Sequence, residues 1–398
     1  MIEGSAVRRI VVQAHRWIGL TLGLLWVLQG LTGGFLIFYR DLDRLAVPAP
    51  EAGPMASLDA IVRSARVATG NAVLTRLSFT DSHGDLIEIL YKAPTGEQRA
   101  LVVDAASARV LRDTDAAPGT PFNGQAWRWI YAFHQGLNAG RRGEILIGLS
   151  GLMLVATVLG GLWLGWPRRR AWKAAFTVRR WRKLEHRLFG WHRAIGLAAG
   201  SALLVSAVTG IYMTFPGQSR ALAATIMPMG EGLATGAVGR SGFDGAGRPV
   251  SPQQALDRAL VIFPRARFVR IMLPGPASPG YVVRLRQPGE TPPWLGTTSV
   301  SVDAANGRIL SIHDPRTAPL IERIFDATLS VHNGEVAGLP GRILIMLSGL
   351  GLATLYVLGA WAWWDGKKRK AEREARRAQR TIPGKPLMAE PPSGAPST

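Results

Sequence analysis

The sequence predicts a membrane all-α fold: a four-helix transmembrane bundle, built as two parallel repeats of two spans, with two small α+β domains outside the membrane. Three observations predict it. Four apolar runs are each long enough to cross a bilayer core, which takes about 20 residues. One sequence block occurs twice, and basic residues cluster directly after apolar runs end, as on the cytoplasmic side of membrane proteins. The 398 residues include no cysteine, which excludes disulfides, thiolate metal sites and iron–sulfur clusters.

The repeat keeps its spacing throughout. The block His-Arg-x-Ile-Gly-Leu begins at His15 and again at His192, an offset of 177 residues. A second matched pair, His134 and His332, is offset by 198 residues, and each member precedes an apolar run that contains Ser-Gly-Leu. A duplicated membrane unit with a histidine near one end of each helix indicates four metal ligands, two from each half.

The apolar runs give the predicted spans in order. They cover about residues 17–39, 145–166, 194–215 and 343–364. Because successive spans alternate in direction, the long segments 40–143 and 216–341 lie on one side and the basic segments on the other. A cleaved signal peptide is the competing interpretation of the first run. That run is longer than the apolar core of a signal peptide and its copy is internal, so we interpret both as spans.

Each long segment is predicted to hold a helix packed on a small antiparallel sheet. Ser57 and Ser251 stand at N-cap positions, and Pro252 follows at the first helical position. Asp104 and Asp303 each precede a small-residue turn and a further strand, which is typical of a β-hairpin. The predicted units are span 1 at 1–40, outer domain 1 at 41–121, a surface helix with span 2 at 122–167, a basic loop at 168–191, span 3 at 192–216, outer domain 2 at 217–318, a surface helix with span 4 at 319–365, and a basic, disordered tail at 366–398.

Together these motifs resemble the PepSY-associated transmembrane family of bacterial inner-membrane proteins. The resemblance rests on the repeated histidine block with its later Thr-Gly, on 251–256 and 302–310 in the second outer domain, and on 338–344 before the last span. It covers about residues 5–366. It implies PepSY-like periplasmic domains, a multi-pass protein of the inner membrane with both termini in the cytoplasm, and a link to iron uptake. The family includes periplasmic ferric-siderophore reductases that carry haem b.

The four repeated histidines are candidate axial ligands of haem iron. A parallel duplication has its pseudo-twofold axis along the membrane normal. That axis pairs His15 with His192 near the cytoplasmic face and His134 with His332 near the outer face. Two neutral imidazoles that face each other across a bundle suit one haem iron, so two layers predict two haems b.

Other basic residues near the inner histidines leave alternatives open. Arg16 and Arg193 are candidates to bind haem propionates. His186 could replace the histidine six residues later as a ligand. The glycines one and two turns after the inner histidines fit either a macrocycle against the backbone or helix–helix contacts. His83 and His313 are expected to be surface or structural residues.

The resemblance and the histidine pairs together predict a di-haem membrane reductase. It would pass electrons across the membrane to a periplasmic ferric siderophore or other ferric chelate and so release Fe(II). We assign no catalytic residue, because electron transfer needs no acid or base. No dinucleotide-binding fingerprint is present, so the expected electron donor is a quinol or another protein.

The expected partner is membrane lipid and not nucleic acid, since the net charge of +20 is concentrated beside the apolar runs.

Two other functions remain open. One is a non-enzymatic membrane anchor whose outer domains bind a peptide or a protein. The other is a transport component for iron uptake, although the spans have few ionisable residues in their middles.

Overall fold

The computed structural model describes residues 2–80, 83–115, 126–177, 184–226, 249–275, 279–290 and 296–380. Among these residues, four helices are long and apolar enough to cross a membrane, namely α1, α5, α7 and α11. In chain order the helices are α1 (Ile2–Leu36), α2 (Tyr39–Leu45), α3 (Leu58–Thr69), α4 (Ala126–Gly136), α5 (Gly140–Gly165), α6 (Trp172–Phe176), α7 (Leu184–Thr214), α8 (Pro216–Ala224), α9 (Pro252–Ile262), α10 (Leu320–His332) and α11 (Gly338–Arg380), with a 3₁₀ turn at Glu335–Ala337.

The four long helices form a bundle in which α1 and α7 are diagonal to each other. Each of these two contacts both α5 and α11. The outward faces stay apolar, with Leu24, Leu146 and Leu347 among their exposed side chains. A continuous exposed apolar surface of this kind suits contact with lipid.

Two of the spans begin earlier than the sequence indicated. α1 begins at Ile2 and α7 at Leu184. His15 and His192 therefore lie two or more turns inside a helix rather than at its start. Residues 178–183 of the predicted basic loop lie outside the described residues.

The last helix also continues beyond the expected end of its span. It runs to Arg380, through the first part of the segment that we predicted to be a disordered tail. Ion pairs one turn apart support this extension: Asp365 with Arg369 at 3.0 Å and Lys370 with Glu374 at 3.7 Å. The rest of the predicted tail, 381–398, lies outside the described residues.

The two long connections build one continuous eight-stranded antiparallel sheet, whereas the sequence predicted two separate small sheets. The strand order is β4-β3-β2-β1-β5-β6-β7-β8, so β1 of the first copy pairs with β5 of the second, with Leu77 opposite Ile271. Separate sheets would leave both of these strands as unpaired edges, and the pairing satisfies their backbone groups. The strands are β1 (Val73–Phe79), β2 (Leu86–Lys92), β3 (Gln98–Asp104), β4 (Val110–Asp115), β5 (Arg267–Met272), β6 (Gly280–Arg286), β7 (Thr298–Asp303) and β8 (Ile309–His313).

Helices α3 and α9 cover one face of this sheet and share its core. Both predicted helix starts are confirmed: Ser57 accepts a hydrogen bond from the Ala60 N–H, and Ser251 forms a capping box with Gln254. The Ser251 hydroxyl also donates to Asp59 at 2.8 Å, which joins the beginnings of the two helices. The opposite face of the sheet is turned toward the bundle.

Close backbone contact brings α1 and α11 together beside the sheet. A Cβ atom added at Gly30 would lie 2.8 Å from the carbonyl oxygen of Gly349, and a backbone atom cannot rotate away. We expect Gly30→Ala to destabilise the protein by about 1–3 kcal/mol, measured as a lower melting temperature in detergent. Gly19→Ala on the same helix is the control, because no atom lies within 4 Å of an added Cβ there. Equal melting temperatures for both variants would contradict this contact.

A half-buried ion pair joins β8 to α10, the helix that carries His332. Nε2 of His313 lies 2.8 Å from Oδ2 of Asp326. The hydrogen bond with Asp326 raises the pKa of His313 above its usual 6.5. Burial opposes this shift, the charges of Asp326 and Glu322 add to it, and the charge of Arg284 opposes it. The structural role that the sequence suggested for His313 agrees with this contact.

This pair makes stability depend on pH in a defined direction. Because the folded-state pKa of His313 is raised, its stabilisation is fully present below about pH 6.5 and is lost as the pH rises through the folded-state pKa. We expect His313→Gln to lower the melting temperature more at about pH 6 than at about pH 9. His186→Gln, at an exposed histidine, is the control. An effect of His313→Gln that is the same at both pH values would argue against the pair.

Candidate paired-histidine site

Two pairs of histidines face each other inside the bundle, at two levels. His134 on α4 and His332 on α10 form the sheet-side pair, with ring centres 6.3 Å apart. His15 on α1 and His192 on α7 form the distal pair, with ring centres 6.1 Å apart and ring planes perpendicular. These are the two pairs that the duplication predicts.

The two levels lie near opposite ends of the spans. The sheet-side pair contacts α1 at Gly33, and the distal pair includes His15 of the same helix. These positions are separated by about 27 Å of helix, close to the thickness of a bilayer core. His186 is exposed, and His192 is the residue whose ring faces His15.

In the distal pair, a backbone carbonyl holds each ring by the same nitrogen. Nδ1 of His15 lies 2.9 Å from the carbonyl oxygen of Thr157 on α5. Nδ1 of His192 lies 3.0 Å from the carbonyl oxygen of Leu355 on α11. A protonated Nδ1 that donates to a carbonyl leaves Nε2 as the nitrogen with a free lone pair, which is the usual arrangement around a metal-binding histidine.

The sheet-side pair is held in a related way by the repeated Thr-Gly motif. Nδ1 of His134 lies 3.1 Å from the hydroxyl of Thr32. Nδ1 of His332 lies 3.0 Å from the hydroxyl of Thr209 and 3.1 Å from the carbonyl oxygen of Ser206. Burial lowers the pKa of His134 to about 4 and also lowers that of His332, so both rings are neutral at physiological pH.

A glycine on a neighbouring helix gives each ring its space. A Cβ added at Gly33 or Gly161 would lie 2.8 Å from Cε1 of the adjacent histidine, so a larger residue would displace that ring. The four contacts follow the repeat: His134 packs against Gly33, His332 against Gly210, His15 against Gly161 and His192 against Gly359. In the sequence Gly33 and Gly210 belong to the repeated Thr-Gly motif, and Gly161 and Gly359 are matched at the offset of 198 residues, but the pattern alone did not indicate this role.

The separation of the rings suits one metal ion between each pair. Metal–imidazole bonds are about 2 Å long and a ring centre lies about 1 Å behind the bonding nitrogen, so two axial imidazoles have centres about 6 Å apart. Within the part of the chain that the structure describes, no three His, Cys, Asp or Glu side chains gather around one point. Each pair can therefore supply two ligands, and a tetrapyrrole would supply the remaining ones.

A cavity of about 870 Å³ opens beside the sheet-side pair. It lies between the bundle and the sheet and is lined by both His134 and His332. Its lining from the bundle is largely apolar, with Trp26, Leu203 and Leu352, although Glu144 also borders it. On the sheet side the guanidinium groups of three arginines outnumber the carboxylate of Glu88. An apolar space with a cationic end suits a flat, largely apolar ligand that carries anionic groups.

The two arginines that were predicted to bind haem propionates near the distal pair contact other groups of the protein. The Arg16 guanidinium donates to Gln13 and lies over the Trp17 ring, and Arg193 donates to the carbonyl oxygen of Ala174 at 3.1 Å.

Two of the glycines that were proposed to admit a macrocycle are covered by side chains of neighbouring helices. The ring of Tyr356 lies against Gly23, and the Leu162 side chain lies against Gly200. At these two positions the glycines therefore serve helix–helix packing, which was the alternative interpretation.

The described fold and site define a class of protein, a duplicated four-helix membrane protein with two internal layers of paired histidines and a sheet domain over one end. The chain belongs to the family described as the PepSY-associated TM region, whose model matches residues 12–365. The resemblance seen in the sequence is thereby confirmed. A comparison with curated proteins gave no significant match.

Proposed function

We propose that this chain is a di-haem b oxidoreductase of the bacterial inner membrane, which passes electrons across the bilayer to reduce a ferric chelate, such as a ferric siderophore, on the periplasmic side. The observation that carries the proposal is the pair of imidazole layers, each with ring centres about 6 Å apart and each held by its Nδ1 atoms. Haem bound at each layer would supply one-electron transfer.

The chain's own residues account for binding and orientation in this proposal. His134 and His332 would ligate at the sheet side, and His15 and His192 at the distal side. The threonine hydroxyls and backbone carbonyls fix the tautomer and the direction of each ring. The outward faces of the spans are apolar, and electron transfer between the layers requires no ionisable group.

The proposed orientation follows from charge. Basic residues 168–170 and 367–370 follow spans at the end of the bundle away from the sheet, and this charge pattern supports a cytoplasmic location for that end and for both termini. The sheet and the cavity then face the periplasm, where a ferric chelate arrives. Fe(II) is bound more weakly than Fe(III) by oxygen donors, so reduction releases the metal. The electron donor would be a quinol or a protein.

Spectroscopy of the purified, detergent-solubilised chain tests the proposal. We expect b-type spectra in the oxidised and dithionite-reduced states, with two haems per chain. His186→Ala should retain both, because that side chain is exposed. Protein from haem-replete cells that has no b-type spectrum would overturn the proposal and favour a membrane anchor whose sheet domain binds a peptide or protein.

Activity gives a second, independent measurement. The protein is reconstituted in vesicles that contain a reduced quinol, and ferric citrate is added outside together with a colorimetric Fe(II) chelator. We expect Fe(II) to form only with protein present. Protein with two haems that forms no Fe(II) from this or any other ferric chelate would support electron transfer to a different acceptor.

A further inference from the structure

A row of charged and polar residues crosses the face of the sheet that lines the cavity. Backbone pairing places Glu88, Ser78, Arg270 and Arg284 side by side on β2, β1, β5 and β6. All four line the same cavity as the sheet-side histidines. The row therefore spans both copies of the repeat, and the two copies can be compared directly.

The first copy neutralises its arginine. Glu88 accepts from Arg76 at 3.1 Å and from Arg128 of α4 at 2.9 Å. Arg270 is the counterpart of Arg76 in the second copy, because each stands one residue before the Leu77–Ile271 pair that joins the copies.

The second copy has no such carboxylate. Leu86 pairs with Asp104 and Gly280 pairs with Asp303, so Val282 stands at the position of Glu88. A valine cannot pair with a guanidinium. Both arginines line the cavity, but the duplication leaves Arg76 paired with a carboxylate and Arg270 without that carboxylate.

The surroundings of Arg270 are cationic. Among the described residues, no hydrogen bond or ion pair to Arg270 is present, and its Nε is buried without an acceptor. Burial, followed by the neighbouring charges of Arg76, Arg284 and Arg40, lowers the pKa of Arg270 to about 10, and the charge of Glu88 opposes this shift only in part. At neutral pH the group stays protonated, and a buried cation of this kind is costly unless an anion accompanies it.

We infer that Arg270, with Arg284 beside it, binds the carboxylate groups of an anionic ligand inside the cavity, facing the sheet-side histidines. The planar guanidinium matches a carboxylate with two parallel hydrogen bonds. The inference deepens the proposed function and rests on it for the identity of the ligand. Two sources carry this chemistry there: the propionates of a haem at the sheet-side pair, or a carboxylate ferric chelate that enters from the periplasm.

Two variants and one control isolate the site. Arg270→Gln removes the cation. Val282→Glu supplies to the second copy the carboxylate that the first copy has, so that it neutralises Arg270 from within, and we expect its melting temperature to be at least that of the wild type. Arg267→Gln makes the same charge change as Arg270→Gln on the same strand but at an exposed position.

The first arm uses the full-length protein in detergent, stripped of haem and titrated with haem b and with its dimethyl ester, whose propionates carry no charge. If propionates are the ligand, Arg270→Gln and Val282→Glu lower the affinity of one site for haem by about tenfold and leave the affinity for the ester unchanged. The control Arg267→Gln has the affinities of the wild type.

The second arm measures equilibrium binding of ferric citrate to the same proteins. If an incoming chelate is the ligand, the affinity for haem is unchanged and the affinity for ferric citrate falls by about tenfold in both variants. Variants that match Arg267→Gln in both arms would overturn the inference. Wild-type protein that binds no haem would overturn the proposed function alone, because the ferric citrate arm still decides whether Arg270 binds an anion.

Discussion

On the proposed function, replacing His332 with alanine is expected to reduce the haem content of the purified protein from two per chain to one. The His332 ring faces His134 with centres 6.3 Å apart, and among the described residues no third His, Cys, Asp or Glu joins them in a cluster. One remaining imidazole with a single axial bond holds a haem far less well than two. The distal pair lies about 27 Å of helix away, so its own haem should remain. The measurement is haem per chain together with the reduced spectrum.

The complementary variant makes this result specific. His15→Ala should remove the other haem, so the two single variants should differ in spectrum and in reduction potential, since the layers have different surroundings. The sheet-side layer borders a cavity with guanidinium groups, whereas helices surround the distal layer. Loss of both haems in either single variant would contradict two independent layers, and a full complement in both would exclude these histidines as ligands.

The histidine pairs could be predicted from sequence because helices are stiff and the repeat is parallel. Once His15 and His192 occupy equivalent positions on equivalent spans, the pseudo-twofold axis brings them together, whatever the details of packing. The helix starts at Ser57 and Ser251 could be predicted for a similar reason, since N-capping depends on a few neighbouring residues.

The joined sheet could not be predicted in the same way. The sequences of β1 and β5 do not indicate which strand pairs with their free edges, because edge pairing uses backbone N–H and C=O groups that every strand has. The anion site depends on that pairing, since Arg270 becomes the neighbour of Ser78 only when β5 joins β1. Alternation of polar and apolar residues predicts that Glu88 and Arg284 share the face opposite the core, but it does not identify the surface that this face meets.

Replacing Glu88 with valine, the residue at the equivalent position in the second copy, is expected to destabilise the protein clearly. Glu88 forms ion pairs with both Arg76 and Arg128, and Arg128 belongs to the helix that carries His134. Removing one partner of a largely buried pair leaves uncompensated charge, which at this partial exposure should cost about 2 kcal/mol. A melting temperature lower by several degrees is the expected measurement.

The Glu88→Val variant also distinguishes an effect on stability from an effect on the position of His134. Because α4 loses its ionic contact with the sheet, the proposed haem beside His134 should bind more weakly, while the one proposed at the distal pair is retained. Glu97→Gln, an exposed charge change in the β2–β3 connection, should alter neither property. If Glu88→Val and Glu97→Gln melt alike, Glu88 does not tether α4. If Glu88→Val melts lower but keeps full sheet-side affinity, the pair supports the sheet without positioning His134, and the contacts of His134 with Thr32 and Gly33 are sufficient to hold the ring.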